Sequence, residues 1–141
     1  MTFEDLGREL AARLEALPED SFLTLGEPVE VPEKRGFHRQ RAHRTPGRYV
    51  QFRRDPGWLY GECVGSTLFG GDAEIGEADH QRLRALGWLA PGDPDPAGTQ
   101  PSYPHYWCTL AADRSADLAA MGVGALEILG ADPDVVTWST G

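Results

Sequence analysis

Phe3, Leu6, Leu10, Leu14 and Leu17 recur at spacings of three and four, which sets them on one stripe of an α-helix. The stripe predicts an amphipathic helix from about Thr2 to Leu17. Thr2 can cap it, Glu4 and Asp5 meet the positive end of its dipole, and Pro18 ends it. Glu4, Arg8, Arg13 and Glu15 face away from the stripe, so the helix lies on an apolar surface.

From Phe22 to Phe69 the period changes to that of extended chain, and two Pro-Gly turns, Thr45-Pro46-Gly47-Arg48 and Asp55-Pro56-Gly57-Trp58, divide the stretch. The pattern predicts a meander of four antiparallel strands over Phe22–Val31, Gly36–Arg44, Arg48–Arg54 and Trp58–Leu68. The last carries Trp58, Tyr60 and Val64 on one face and Leu59 and Cys63 on the other, the mark of a strand covered on both sides. The second alternates Phe37, Arg39, Arg41 and His43 against His38, Gln40, Ala42 and Arg44. Neither of its faces reads as core, so it belongs at an exposed part of the sheet or projects beyond it.

Gly70-Gly71-Asp72 breaks the sheet, and Glu77 to Trp88 predicts a second helix with Leu83, Leu86 and Ile75 on its buried side and Gly87 at its end. Trp88 closes this helix and is expected in the core. Pro91 to Pro104 holds five prolines and two glycines, the composition of a loop with polyproline character inside the domain. A strand over Tyr103–Leu110 follows, then a helix from Asp113 or Ser115 to Leu129. Gly122 and Gly124 inside that helix each disfavour it by about 1 kcal/mol relative to Ala. Val135, Val136 and Trp138 predict a short closing strand or an extended tail. The expected fold is a single α+β domain over residues 1–141, with the order α-β-β-β-β-α-β-α-β and three helices packed on an antiparallel sheet.

The 141 residues are 40% hydrophobic and 25% charged, a globular and not a disordered composition. The apolar runs are too short to cross a bilayer, and Met1 to Asp5 lack the layout of a signal peptide. With two cysteines, Cys63 and Cys108, a reducing, cytoplasmic setting is expected. Thirteen Lys and Arg against 22 Asp and Glu give a net charge of −9, which disfavours nonspecific binding to nucleic acid or anionic membrane. The charge is unevenly placed. Lys34, Arg35, Arg39, Arg41, Arg44, Arg48, Arg53 and Arg54 occupy a stretch with no acid, so eight cations stand against a remainder at −17.

No catalytic pattern is present. The glycines from Gly65 to Gly71 lack the Lys-Ser/Thr of a phosphate loop and the spacing of a dinucleotide fingerprint. His105 and Cys108 would point to opposite faces of a strand, which removes both a chelate and a nucleophile–base pair. The cysteines read as buried and inert. Glu74 and Glu77, or Asp93 and Asp95, read as solubilising or capping charges. The expectation is a protein without catalytic residues, metal or cofactor.

The basic meander leaves two roles open. Arginines on outward strand positions block edge-to-edge aggregation. They also form, with nearby aromatics, a surface able to recognise an acidic or extended peptide, which the sequence favours over nucleic acid. In the second role Arg39, Arg41, Arg48 and Arg53 meet acidic groups, and Tyr49, Trp58 and Tyr60 supply apolar contact.

Trp58-Leu59-Tyr60-Gly61-Glu62-Cys63-Val64-Gly65, Gly70-Gly71-Asp72, Leu83-Arg84-Ala85-Leu86-Gly87-Trp88, Pro91, Tyr103 and Asp132-Pro133-Asp134-Val135-Val136 together resemble the TY-Chap group. These are small proteins related by fold to type III secretion chaperones and to YbjN. The resemblance implies helices on a strongly bent antiparallel sheet, frequent homodimers, peptide binding and no enzymatic chemistry. Ser102 stands where the group often has Asn. The expected function is a non-enzymatic module that binds a peptide or partner protein, with the Arg-rich strands selecting acidic segments. The alternative is an immunity-type inhibitor that covers a toxin's active site.

Overall fold

The computed structural model describes residues 1–27, 48–64, 76–90 and 106–140. Helix α1 spans Phe3–Ala16. Its start is a capping box: the Asp5 amide donates to Thr2 Oγ1 at 3.0 Å, and the Thr2 amide donates to Asp5 Oδ2 at 3.1 Å. Leu17, ahead of Pro18, leaves the helix with extended backbone. Leu6, Leu10 and Leu14 are buried, as the stripe required.

Strands β1 (Phe22–Gly26), β2 (Tyr49–Asp55) and β3 (Trp58–Val64) follow. Then come α2 (Glu77–Leu86), β4 (Tyr106–Ala111), α3 (Ser115–Leu129) and β5 (Thr137–Thr140). The five strands form one antiparallel sheet in the order β4-β3-β2-β1-β5. The α+β arrangement is thus the one expected. The β2–β3 hairpin turns at Pro56 and Gly57, where Gly57 takes a φ of 79°, the geometry that a Pro-Gly turn supplies. β1 and β2 pair directly, Leu23 opposite Phe52 and Leu25 opposite Val50. The strand expected over Gly36–Arg44 and the turn at Thr45 to Gly47 lie outside the described residues, as do Ile75 and the whole Pro-rich loop from Pro91 to Pro104.

The strict alternation of the strands divides the sheet into two faces. Leu23, Leu25, Val50, Phe52, Leu59, Cys63, Tyr106 and Cys108 point to one side and pack with Leu6, Leu10 and Leu14 of α1, Leu83 of α2, and Leu118, Leu126 and Leu129 of α3. A buried aliphatic or aromatic side chain contributes roughly 1.5–3 kcal/mol, so this layer carries the stability of the fold. The two cysteines are buried free thiols within it. Gly122 is what allows α3 to lie so close. A Cβ there would stand 2.8 Å from Phe52 Cζ and 3.2 Å from Leu10 Cδ2. Gly124 does the same for Leu86.

Two expectations are corrected. Leu86, placed on the buried side of α2, is 36% exposed, because it rests on the shallow notch at Gly124 at the margin of the helix layer. β3 is not sheathed on both faces at the described residues. Leu59 and Cys63 are buried but Trp58 is 41% exposed, since the helices pack on the Leu59 side alone. Trp88 is core, as expected, and its Nε1 donates to the Met121 carbonyl at 3.0 Å.

Candidate functional site

The face of the sheet turned away from the helices carries the chemistry. The register aligns its side chains in rows across the strands. Ser139, Thr24, Gln51, Glu62 and Trp107 form one row, Phe22, Arg53, Tyr60 and Thr109 the next, and Asp55, Trp58 and Ala111 a third. Tyr49, opposite Gly26, stands on the same side. Four of the residues singled out in the sequence, Tyr49, Arg53, Trp58 and Tyr60, therefore share one surface. Arg48 sits at its rim, just before β2. Arg39 and Arg41 lie outside the described residues.

Each described arginine of the set holds a carboxylate of its own chain. Arg48 Nη1 lies 3.3 Å from both oxygens of Glu27. Arg53 grips Asp55 through Nε and Nη2, both at 3.0 Å, the bidentate geometry that suits guanidinium. The Arg53 guanidinium also lies 5.0 Å from the centroid of the Tyr60 ring, within the range of a cation–π contact. Tyr60 Oη donates to Glu62 Oε1 at 3.3 Å. Burial, and after it the negative charge of Glu62, push the Tyr49 hydroxyl above its ordinary pKa.

Two hollows indent this face and meet at Gln51. One, of about 390 Å³, is lined by hydroxyl and amide groups of Thr24, Thr137, Ser139 and Gln51, with Tyr49 and Glu27 at its side. The other, of about 210 Å³, lies among Phe22, Gln51, Arg53, Tyr60 and Glu62. Gly26 shapes the first: a Cβ there would stand 2.1 Å from the Tyr49 Cβ, so only glycine lets β1 and β2 close at this point. Phe22, Gln51 and Glu62 were not singled out from sequence. Their phase would have shown them, since Gln51 alternates with Tyr49 and Arg53, and Glu62 with Trp58 and Tyr60.

Among the described residues no group of three or more His, Cys, Asp or Glu could hold a metal ion, and no helix is long and apolar enough to cross a membrane. Burial pushes the Cys108 thiol up to about 12, which suppresses the thiolate that a nucleophile or a metal ligand needs.

The model of TY-Chap3, described as a peptide-binding chaperone of the type III secretion (YopN, CesT) and YbjN kind, matches residues 3–136. The chain belongs to this family. No curated protein and no solved structure matches. TY-Chap3 membership bears out the resemblance read from the aromatic, Gly and Pro pattern, and it brings a peptide or protein partner with it. The family match begins at the first residue of α1 and ends one residue before β5, so among the described residues it takes in the three helices and four of the five strands.

Proposed function

We propose that this chain is a peptide-binding chaperone domain that seats an extended segment of a partner protein on the open face of its sheet. The observation that carries the reading is the division of the sheet. One face is sealed by three helices, while the other presents Phe22 and Trp58, 38% and 41% exposed, beside Tyr49, Tyr60 and the two hollows. Monomeric proteins seldom leave aromatics together in solvent without use. An extended peptide laid over them would bury the rings for affinity and offer its backbone to Gln51, Thr24 and Ser139.

Selection of acidic segments by the arginines is part of this reading and divides unevenly among them. Arg48 and Arg53 already face Glu27 and Asp55, so a partner's carboxylate gains less charge from them than from an unmatched cation. The larger share of any preference for acidic segments is assigned to Arg39 and Arg41. The test is an array of synthetic peptides probed with the wild-type chain and with a Trp58→Ser, Tyr60→Ser variant. Wild-type binding to a subset of aromatic-bearing peptides is expected, with affinity about tenfold lower in the variant and an unchanged melting temperature. A variant that binds as the wild type does would overturn the assignment of this face.

A further inference from the structure

We infer that Glu62 forms a subsite for a cationic side chain, so that the peptide seated on the open sheet face presents a Lys or Arg to its centre. This deepens the peptide-binding reading above and rests on it. The charges of the face decide the matter. Arg48 is matched by Glu27 and Arg53 by Asp55. Glu62 accepts one hydrogen bond from Tyr60 Oη, and among the described residues no cation pairs with it. Its diagonal neighbour Arg53 is drawn away from it, because Asp55 lies one row further along β2 on the far side.

The surroundings fit the same guest. Glu62 lines the smaller hollow with Phe22, Gln51, Arg53 and Tyr60, Arg53 being the cation that Asp55 already holds. Its volume of about 210 Å³ falls below the roughly 300–1,000 Å³ of small-molecule sites and suits one long side chain. A lysine or arginine stem can lie along Phe22 and Tyr60 while its charged end reaches the carboxylate. The Tyr60 ring already accepts one cation, Arg53, at 5.0 Å from its centroid. The Glu62 charge also reaches Tyr49 on the neighbouring strand, where it helps raise the hydroxyl pKa.

The experiment takes the strongest peptide from the array and replaces each position in turn with Lys, norleucine or Glu. Affinities for the wild-type chain, Glu62→Gln and Glu62→Lys are read by fluorescence anisotropy at low and moderate salt. At one position the wild type should prefer Lys over Glu by about tenfold, and the preference should shrink as salt rises. Glu62→Gln should erase the preference and Glu62→Lys should reverse it. Peptides that bind with no basic preference at any position, or a preference that survives Glu62→Gln, overturn the subsite and leave peptide binding standing. Absence of binding to every peptide of the array overturns both.

Discussion

Arg54 Nη2 donates to the Leu14 carbonyl oxygen at 2.6 Å, tying the end of β2 to the last turn of α1 across 40 residues of sequence. The Leu14 carbonyl also accepts from the Leu17 amide at 3.2 Å, and the negative charge at a helix C-terminus favours a second, cationic donor there. The Arg54 backbone adds to the junction, accepting from the Asp20 amide at 2.8 Å and donating to the Ser21 carbonyl at 3.3 Å. Arg53, the next residue, points to the opposite face. Arg54→Ala should lower stability by about 1.5–3 kcal/mol, the range for hydrogen bonds from charged groups. Arg53→Ala, which breaks a partly exposed ion pair, should cost less than about 1 kcal/mol. Equilibrium urea unfolding of the two variants checks this, and equal losses would contradict it.

Two helical glycines should respond to alanine with opposite signs. In α1, a Cβ at Gly7 finds only Val123 Cγ2, at 3.9 Å, an ordinary contact. Gly7→Ala should therefore stabilise by up to about 1 kcal/mol through helix propensity. In α3, a Cβ at Gly122 meets the Phe52 ring edge at 2.8 Å, and overpacking of this kind costs about 1–3 kcal/mol. Gly122→Ala should lose stability despite the same gain in propensity. Thermal melts of both variants read the two signs directly.

The pH dependence should have one limb at each end. The Thr2 backbone amide, and after it the Thr2 hydroxyl, hold the Asp5 carboxyl below its ordinary 3.8. A depressed carboxylate stabilises the fold above its unfolded pKa, and that contribution is lost as pH falls through the folded value. Asp5→Asn should therefore flatten the acid limb. At the other end, the Cys108 thiol rises from 9.0 to about 12 by burial. The unfolded chain then ionises first, so stability is intact below pH 9 and falls as pH climbs toward 12. Tyr49, also raised, contributes to the same fall, so Cys108→Ala should lessen it without abolishing it. Melting temperatures across pH give both limbs, and a thiol reagent should label the native chain only when it unfolds.

Local pattern made α1 legible because its signals act within one or two turns: the stripe of leucines, the Thr2 cap and Pro18. The Asp55 to Trp58 turn was legible for the same reason, since Pro56 and Gly57 fix its geometry in place. Alternation put Trp58 and Tyr60 on one face of β3, but that Tyr49 and Arg53 share it depends on the β2–β3 register. Alternation could not tell which face the helices would cover, because that depends on where α1 and α3 dock, and so β3 was expected to be covered twice. Nor could it tell apart Arg53 and Arg54. Arg48 finds Glu27 from 21 residues away, a pairing that exists only once β1 and β2 are side by side. Alternation puts Glu62 on the face of Trp58 and Tyr60, but a single acid there carries no sign of its role. Its meaning comes from the cations around it being already engaged.

Trp88 and Trp107 are equally buried, 1% exposed each, yet their indole N–H groups have different fates. Trp88 donates to the Met121 carbonyl at 3.0 Å, whereas Trp107 Nε1 is buried without an acceptor among the described residues. Replacing either with Phe removes a similar amount of ring and leaves a similar gap. At Trp88 the change also removes a buried hydrogen bond, while at Trp107 it removes a desolvated donor that gained nothing in return. Trp88→Phe should therefore be the more destabilising by about 1–3 kcal/mol, measured as the difference in urea unfolding free energy. Although Trp107 stands opposite Glu62, it is buried and offers a seated peptide no surface, so Trp107→Phe should also leave peptide affinity unchanged. Equal losses in the two variants would mean that the Trp107 donor has an acceptor in solution, with Glu62, its cross-strand neighbour, the first to test.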